Sequence, residues 1–117
     1  MITIIPADEK AYQKIGVTDP QTRAMVLVDG DNIDGYILFT INGLQMELLS
    51  VSLDDLLLQE GLVRAALNYG ARRAVETAVC INPTLDAVLD ILRFEKTSLG
   101  RTVSIPEFFS RGCTCHA

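Results

Sequence analysis

The sequence predicts an α+β domain: one mixed, mostly antiparallel sheet with helices on both faces. Three observations predict it. Two β-rich runs, Ile33 to Ile41 and Leu44 to Val51, flank Asn42-Gly43, the strongest short hairpin signal because both residues tolerate positive φ. After Val51 the period changes: Leu58, Leu62, Ala65, Ala66 and Tyr69 share one helical face, and an apolar strand-like run, Ala74 to Ile81, follows. A strand–helix–strand crossover implies a parallel pair inside an otherwise antiparallel sheet. Third, Asn82 can cap a second helix whose first position suits Pro83.

Taken in order, Ile2 to Pro6 is a short β-rich run ended by proline. Asp8 to Gly16 reads as a short helix closed by its glycine. Val17 to Arg23 is a loop with Asp19-Pro20 as turn chemistry. Ala24 to Val28 is a continuous apolar run, a candidate central strand, so residues 24–51 form a three-stranded meander. Ser52, with Asp55 three residues on, gives a capping pattern for the long helix, whose polar stripe is Glu60, Arg64, Asn68 and Arg72. The second helix buries Leu85, Val88, Leu89 and Leu92 and leaves Asp86 and Asp90 outside. Phe94 to Ile105 reads as a hairpin turning near Gly100, and Pro106 to Phe109 as one last turn.

With 117 residues, 49% of them hydrophobic, the chain makes one domain with one core. Its divisions are a shortened N-terminal segment, 1–23, the core, 24–94, a C-terminal hairpin and turn, 95–112, and a Cys-rich tail, 113–117. A net charge of −5 without a basic cluster argues against nucleic acid. No apolar run approaches the ~20 residues of a membrane span, and the start lacks the features of a signal peptide. The expected location is the cytoplasm, where thiols stay reduced. Three cysteines fit no even disulfide framework. Cys80 reads as a buried, inert thiol. Cys113, Cys115 and His116 offer two thiolates and an imidazole within four residues, a set that zinc or copper(I) accepts. Cys-x-Cys lacks the second ligand pair of a closed zinc site. A metal is therefore the lesser reading of this tail, beside a redox-labile dithiol, and a silent tail is preferred.

The element order resembles the GNAT superfamily of acetyl-CoA-dependent N-acyltransferases. The likeness is clearest from Tyr36 to Phe94. "NPTLDAVLDILRF" keeps Asn82 and Phe94 at the interval of the family pattern N-x-x-A-x-x-F-Y-x-K-x-G-F. "EGLVRAALNYGARRA" looks like the helix after the family's pyrophosphate loop, with Gly61 and Arg64 on positions where glycine and a basic or small residue are usual. The resemblance implies the GNAT fold, acetyl-CoA as cofactor, a small amine or peptide as acceptor, and coenzyme contacts from Val51, Gly61, Leu62, Val63, Arg64 and Asn82. It implies direct transfer, with backbone groups of splayed central strands near Val51 and Ile81 holding the acyl arm. Glu47 is the nearest candidate for a general base.

The departures bear on function. The family loop Q/R-x-x-G-x-G/A holds pyrophosphate on backbone N–H groups and a helix N-terminus. Here Leu58 stands where Gln or Arg is expected and Val63 where a second small residue is. Asp54, Asp55 or Glu60 lies wherever the phosphate would go, and like charges repel by about 1 kcal/mol in water and several in a partly dry cleft. Leu89 occupies the position of the family's proton-donating Tyr and donates nothing. About 18 residues separate the first two strands, room for one short helix where the family has two. Each residue also has a plain structural reading. Asn82 is a helix cap, Gly61 a packing pivot, Arg64 and Arg72 members of a solvated stripe, Tyr36 and Tyr69 core rings with hydrogen-bonded tips. The sequence thus points to a GNAT-related protein with weakened or lost activity, to which acetyl-CoA binds weakly or not at all. The alternatives are a non-enzymatic homodimeric module, whose pairing covers the apolar surface left by the missing helix, and a thiol- or metal-responsive tail.

Overall fold

The computed structural model describes residues 2–114. Its elements are β1 (Ile2–Pro6), α1 (Glu9–Ile15), β2 (Thr22–Asp29), β3 (Asn32–Asn42), β4 (Gln45–Val51), α2 (Leu56–Ala71), β5 (Thr77–Cys80), a 3₁₀ turn (Pro83–Leu85), α3 (Asp86–Ile91), β6 (Glu95–Thr97), β7 (Gly100–Ser104) and α4 (Ile105–Thr114). The seven strands form one sheet in the order β1-β2-β3-β4-β5-β7-β6. Among the described strands only β4 and β5 pair in parallel, as the crossover through α2 requires. No helix of the described residues is long and apolar enough to cross a membrane.

Alternation along the strands divides the apolar residues between two faces. Met25, Leu27, Ile37, Phe39, Met46, Leu48, Ala78 and Cys80 meet α2, α3 and α4 in one core. Leu62, Val63, Ala66 and Leu67 of α2 and Val88 and Leu89 of α3 are fully buried there. Among the described residues, the opposite face carries α1 alone. Its Ala11 is buried, and its Tyr12 hydroxyl accepts from the Ala24 N–H at 3.3 Å. Asp8 caps this helix, accepting from the Ala11 N–H at 2.8 Å, and Gly16 closes it at φ 77°.

Several local expectations are corrected. The hairpin turn sits one residue later than Asn42-Gly43. Asn42 pairs with Gln45, so Gly43, at φ 63°, is the first central residue, where a II′ turn takes glycine. The cap of α2 is Asp55, not Ser52, and the helix starts at Leu56. Ser52 is committed elsewhere: its Oγ accepts from the Tyr36 N–H at 2.8 Å and its N–H donates to the Tyr36 carbonyl. The strand expected over Ala74 to Ile81 shrinks to Thr77–Cys80. Ala74, at φ 61°, instead closes α2, with the Val75 N–H on the Gly70 carbonyl at 2.9 Å. The single turn expected after Ile105 is a ten-residue helix, α4, because Ile105 and Phe108 bury one face of it against the core. Of the tail set, Cys113 falls in the last turn of α4, but its side chain, Cys115 and His116 lie outside what is described.

Candidate functional site

The parallel pairing of β4 with β5 runs only from Gln45/Thr77 to Glu47/Val79. Beyond it the strands part. Two local features cause the fork. In the β3–β4 ladder Phe39 pairs with Leu48 but Leu38 with Ser50, so Leu49 is the extra residue of a bulge, and a bulge bends its strand. On the other arm, β5 gives way at once to Asn82-Pro83, and proline has no N–H to continue a ladder. Asn82 bridges the opening. Its Nδ2 donates to the Leu49 carbonyl at 2.8 Å, while its Oδ1 accepts from the Thr84 N–H at 3.1 Å and the Thr84 hydroxyl at 2.8 Å.

Only four residues, 52–55, connect β4 to α2. The Asp55 carboxylate accepts from the Leu58 N–H at 3.0 Å, and its carbonyl takes the Gln59 N–H at 2.9 Å. Gln59, the one buried polar side chain among those described, donates to the Leu53 carbonyl at 2.7 Å and fixes the connection from inside. The helix start is therefore occupied by a carboxylate belonging to the chain itself, which also complements the helix dipole.

No family model matches the sequence, and no curated protein matches it. Solved structures do. The ribosomal-protein-S18-alanine N-acetyltransferase from Escherichia coli is similar over 90% of this chain and 94% of its own, with a TM-score of 0.67 at 13% identity. A GNAT-family protein of Desulfovibrio desulfuricans is similar over 90% of this chain and 99% of its own, TM-score 0.69, at 6% identity. YhhK of Escherichia coli, solved bound to coenzyme A, is similar over 89% of this chain and 98% of its own, TM-score 0.64, at 15% identity. The fold is that of the GNAT acetyltransferases.

In that GNAT frame the expected site residues fall on β4, on α2 and at the turn after β5. Gly61 lies in the second turn of α2, not in a loop, and its N–H is used inside the helix. A Cβ there would come within 3.3 Å of the Ile4 side chain, so glycine lets α2 pass close to β1. Leu62 and Val63 are core residues without exposed surface. Arg64 is exposed, pairs with Glu60 at 3.1 Å and lies over the Phe108 ring of α4 at 5.4 Å. Val51 ends β4 and packs half-buried against the core. Leu89 is fully buried. Glu47 forms the last parallel pair, with Val79, on the face turned away from Met46 and Leu48, and so stands at the apex of the fork. The structure joins the Leu49 carbonyl to Asn82, places Glu47 in the last parallel pair of β4 and β5, and places Gly61, Leu62, Val63 and Arg64 within α2. Tyr69 packs its ring edge-on against Phe39, with Arg73 over its other side at 3.5 Å.

Cys80 is buried beside the fork. Burial pushes its thiol up, a backbone hydrogen bond at Asn82 pulls the other way, and the charges of Asp86 and Glu47 add to the upward push. A thiol held neutral in this way is a poor nucleophile. Among the described residues no group of three His, Cys, Asp or Glu could hold a metal ion. Nothing in the sequence marks the Leu49 carbonyl as a partner, and Asp55 entered the capping pattern only as the residue three positions after Ser52. The nearest signal for Asp55 was its residue type, shared with Ser52 and Asp54.

Proposed function

We propose that this chain is a GNAT-fold relative of the N-acetyltransferases whose acetyl-CoA-dependent activity is weakened or lost, acting in the cytoplasm. One observation carries the reading: the Asp55 carboxylate sits on the Leu58 N–H at the start of α2. A pyrophosphate brought to that start meets a fixed negative charge, with Asp54 beside it. The repulsion is about 1 kcal/mol per pair at 4 Å in water and about 4 kcal/mol at the effective dielectric of a protein surface. Residual chemistry would be direct transfer. An amine of a small molecule or peptide attacks the thioester carbonyl, the amide C–N bond forms, and the C–S bond breaks. Glu47 takes the ammonium proton, and the thiolate collects a proton from water because Leu89 has none to give.

Isothermal titration of acetyl-CoA tests this. The wild-type chain should show no low-micromolar binding, and Asp55→Ser, which keeps a capping oxygen but drops the charge, should bind more tightly. Low-micromolar binding by the wild type overturns the proposal.

A second reading, a homodimeric assembly module, is favoured by the outer edge of β1. Ile2 to Pro6 carry no charge, and Ile2 and Ile5 are 55% and 43% exposed, whereas the opposite edge, β6, is three residues with Glu95 and Lys96 on it. Natural edges are usually shortened or charged against pairing, and β1 is neither. Sedimentation should give a dimer that Ile5→Lys dissociates. A wild-type species at the 12.8 kDa chain mass, at high micromolar concentration, rules this reading out.

A further inference from the structure

β1 is an outer strand of the sheet, paired on one side by β2. Two observations fix which of its backbone groups face outward. The Ala7 N–H, just past the strand, donates to the Ala24 carbonyl at 3.0 Å. In an antiparallel ladder the hydrogen-bonded pairs recur at every second residue. With Ile5 opposite Val26 and Thr3 opposite Val28, residues 3 and 5 therefore spend their N–H and C=O groups on β2, and residues 2, 4 and 6 turn theirs outward. Pro6 agrees with this phase. It has no N–H, and it stands where that lack costs the ladder nothing. The outer edge thus presents the N–H groups of Ile2 and Ile4 and the carbonyls of Ile2, Ile4 and Pro6. The side chains divide between the faces. Ile4 lies against α2 beside Gly61, and Ile5 lines the cavity of about 520 Å3 next to α1.

We propose that a second copy of this chain pairs with that edge, antiparallel, about a two-fold axis at Ile4, so that Ile4 faces Ile4, Ile2 faces Pro6 and Thr3 faces Ile5 of the other copy. The inference rests on the homodimer reading and adds where and in what register the copies meet. The outward groups allow three such registers. Centred on Ile4, each Ile4 N–H meets the other Ile4 carbonyl and each Ile2 N–H meets a Pro6 carbonyl. Every outward N–H is then satisfied, the two strands overlap along their whole length, and Pro6 is asked only to accept. Centred on Thr3, the same donors are satisfied but the ends of both strands, with Ile5, stay uncovered. Centred on Ile5, Pro6 faces Ile4 and the Ile2 N–H groups are left out. An edge that meets its own copy sets each of its charges near a like charge, and β1 carries none. That neutrality is a requirement of self-pairing and not of pairing with an unrelated strand. The axis stands perpendicular to the sheet, so both α1 helices lie on one face, and Thr3 of the second copy joins Ile5 at the wall of the cavity. A strand of five residues is far below the roughly 20–30 residues a side of a standard interface, so the pairing is weak and is read at high micromolar concentration.

Disulfide trapping separates the registers. Thr3→Cys and Ile5→Cys are made singly, each in the full chain with Cys113→Ser and Cys115→Ser, and a thermal melt within a few degrees of wild type establishes that each is folded. Thr3 and Ile5 of facing copies form a non-hydrogen-bonded pair with Cα atoms about 4.5 Å apart, within disulfide reach. Two Thr3 positions, or two Ile5 positions, are offset by two residues along the strands and lie roughly 8 Å apart, beyond it. Each variant alone and the two mixed are equilibrated in a glutathione buffer, and mass spectrometry distinguishes mixed from like pairs. The expected result is that mixed pairs exceed like pairs by roughly tenfold. Like pairs of Thr3→Cys in excess place the axis at Thr3, like pairs of Ile5→Cys place it at Ile5, and equal yields of all three mean random collision. Each of these overturns the proposal. Sedimentation of the wild type keeps its failure apart from that of the homodimer reading: a dimer without mixed pairs overturns the register and leaves the dimer standing, whereas a monomer at high micromolar concentration overturns both.

Discussion

The two ends of the sheet are built differently. At the end where β5, β7 and α3 meet, polar side chains of separate elements are paired with one another. Arg101, with its side chain only 15% exposed, lies between Asp90, which accepts from its Nη1, and Asp86 at 3.6 Å. Asn82 uses both ends of its amide, and Gly100 packs against the Cys80 carbonyl. At the other end, α1 covers Ala24 and Val26 and then stops. Two adjoining cavities of about 410 and 520 Å3 run along it, lined by Lys14, Asp31 and Ile33 in common, and none of Lys10, Lys14, Asp31 or Asp34 forms an ion pair among the described residues. Both ends belong to one fold. The difference is that the crossover end is fixed by contacts far apart in sequence, whereas the meander end is a set of local hairpins covered by seven residues of helix.

The largest effect expected of this contrast comes from two glycines that share positive φ and nothing else. Gly16 closes α1 at φ 77°, and a Cβ there meets nothing within 4 Å. Gly100 starts β7 at φ 112°, and a Cβ there would lie 2.4 Å from the Cys80 carbonyl oxygen and 3.2 Å from the Ile81 side chain. The obstacle is backbone, held by the β5–β7 pairing of Cys80 with Arg101, so it cannot rotate away. Gly16→Ala should cost about 1 kcal/mol, the ordinary penalty of a left-handed cap. Gly100→Ala should cost about 3 kcal/mol or more, roughly 10 °C or more in Tm for a domain of this size. Thermal melts of the two variants decide it, and equal losses would remove the distinction between the ends.

Why the fold was more legible than the fork follows from the same contrast. Hairpins, the amphipathic face of α2 and the Asn82-Pro83 break are each written within a few neighbouring residues, and they stand where the sequence puts them but for the one-residue shift of the β3–β4 turn. The seven-stranded mixed sheet with helices on both faces follows from them. The cap of α2 was misplaced because Ser52, Asp54 and Asp55 are all capping types. What selects Asp55 is that the hydroxyl of Ser52 is taken by the Tyr36 N–H, sixteen residues earlier. The bond from Asn82 to Leu49 spans 33 residues and depends on a bulge with no sequence mark. Gly61 shows the same limit in reverse. As a glycine near a helix start it read equally as a phosphate-loop residue and as a packing pivot, and the neighbour a Cβ would crowd is Ile4, on a strand at the far end of the chain.

A smaller effect would sharpen the contrast further, because it isolates one side chain of the crowded end. Cys80 is 2% exposed, and its thiol is pushed above its ordinary value of 9.0 by burial first, then by the charges of Asp86 and Glu47. In the unfolded chain the thiol ionises near its ordinary value. Between that value and the higher folded one, the unfolded state has lost its proton while the native state keeps it, so unfolding gains as pH rises. The stabilising contribution is therefore fully present below about pH 8.5 and is lost progressively as pH climbs through the folded value. Cys80→Ala removes the titrating group at the cost of a small cavity, lowering stability at neutral pH by an offset that does not change with pH. Urea melts of both proteins between pH 7 and pH 10 should give a gap that is constant up to about pH 8.5 and narrows above it. A gap that stays constant to pH 10 would mean that the Cys80 thiol ionises as easily folded as unfolded, and that this end of the sheet is less closed to water than its contacts imply.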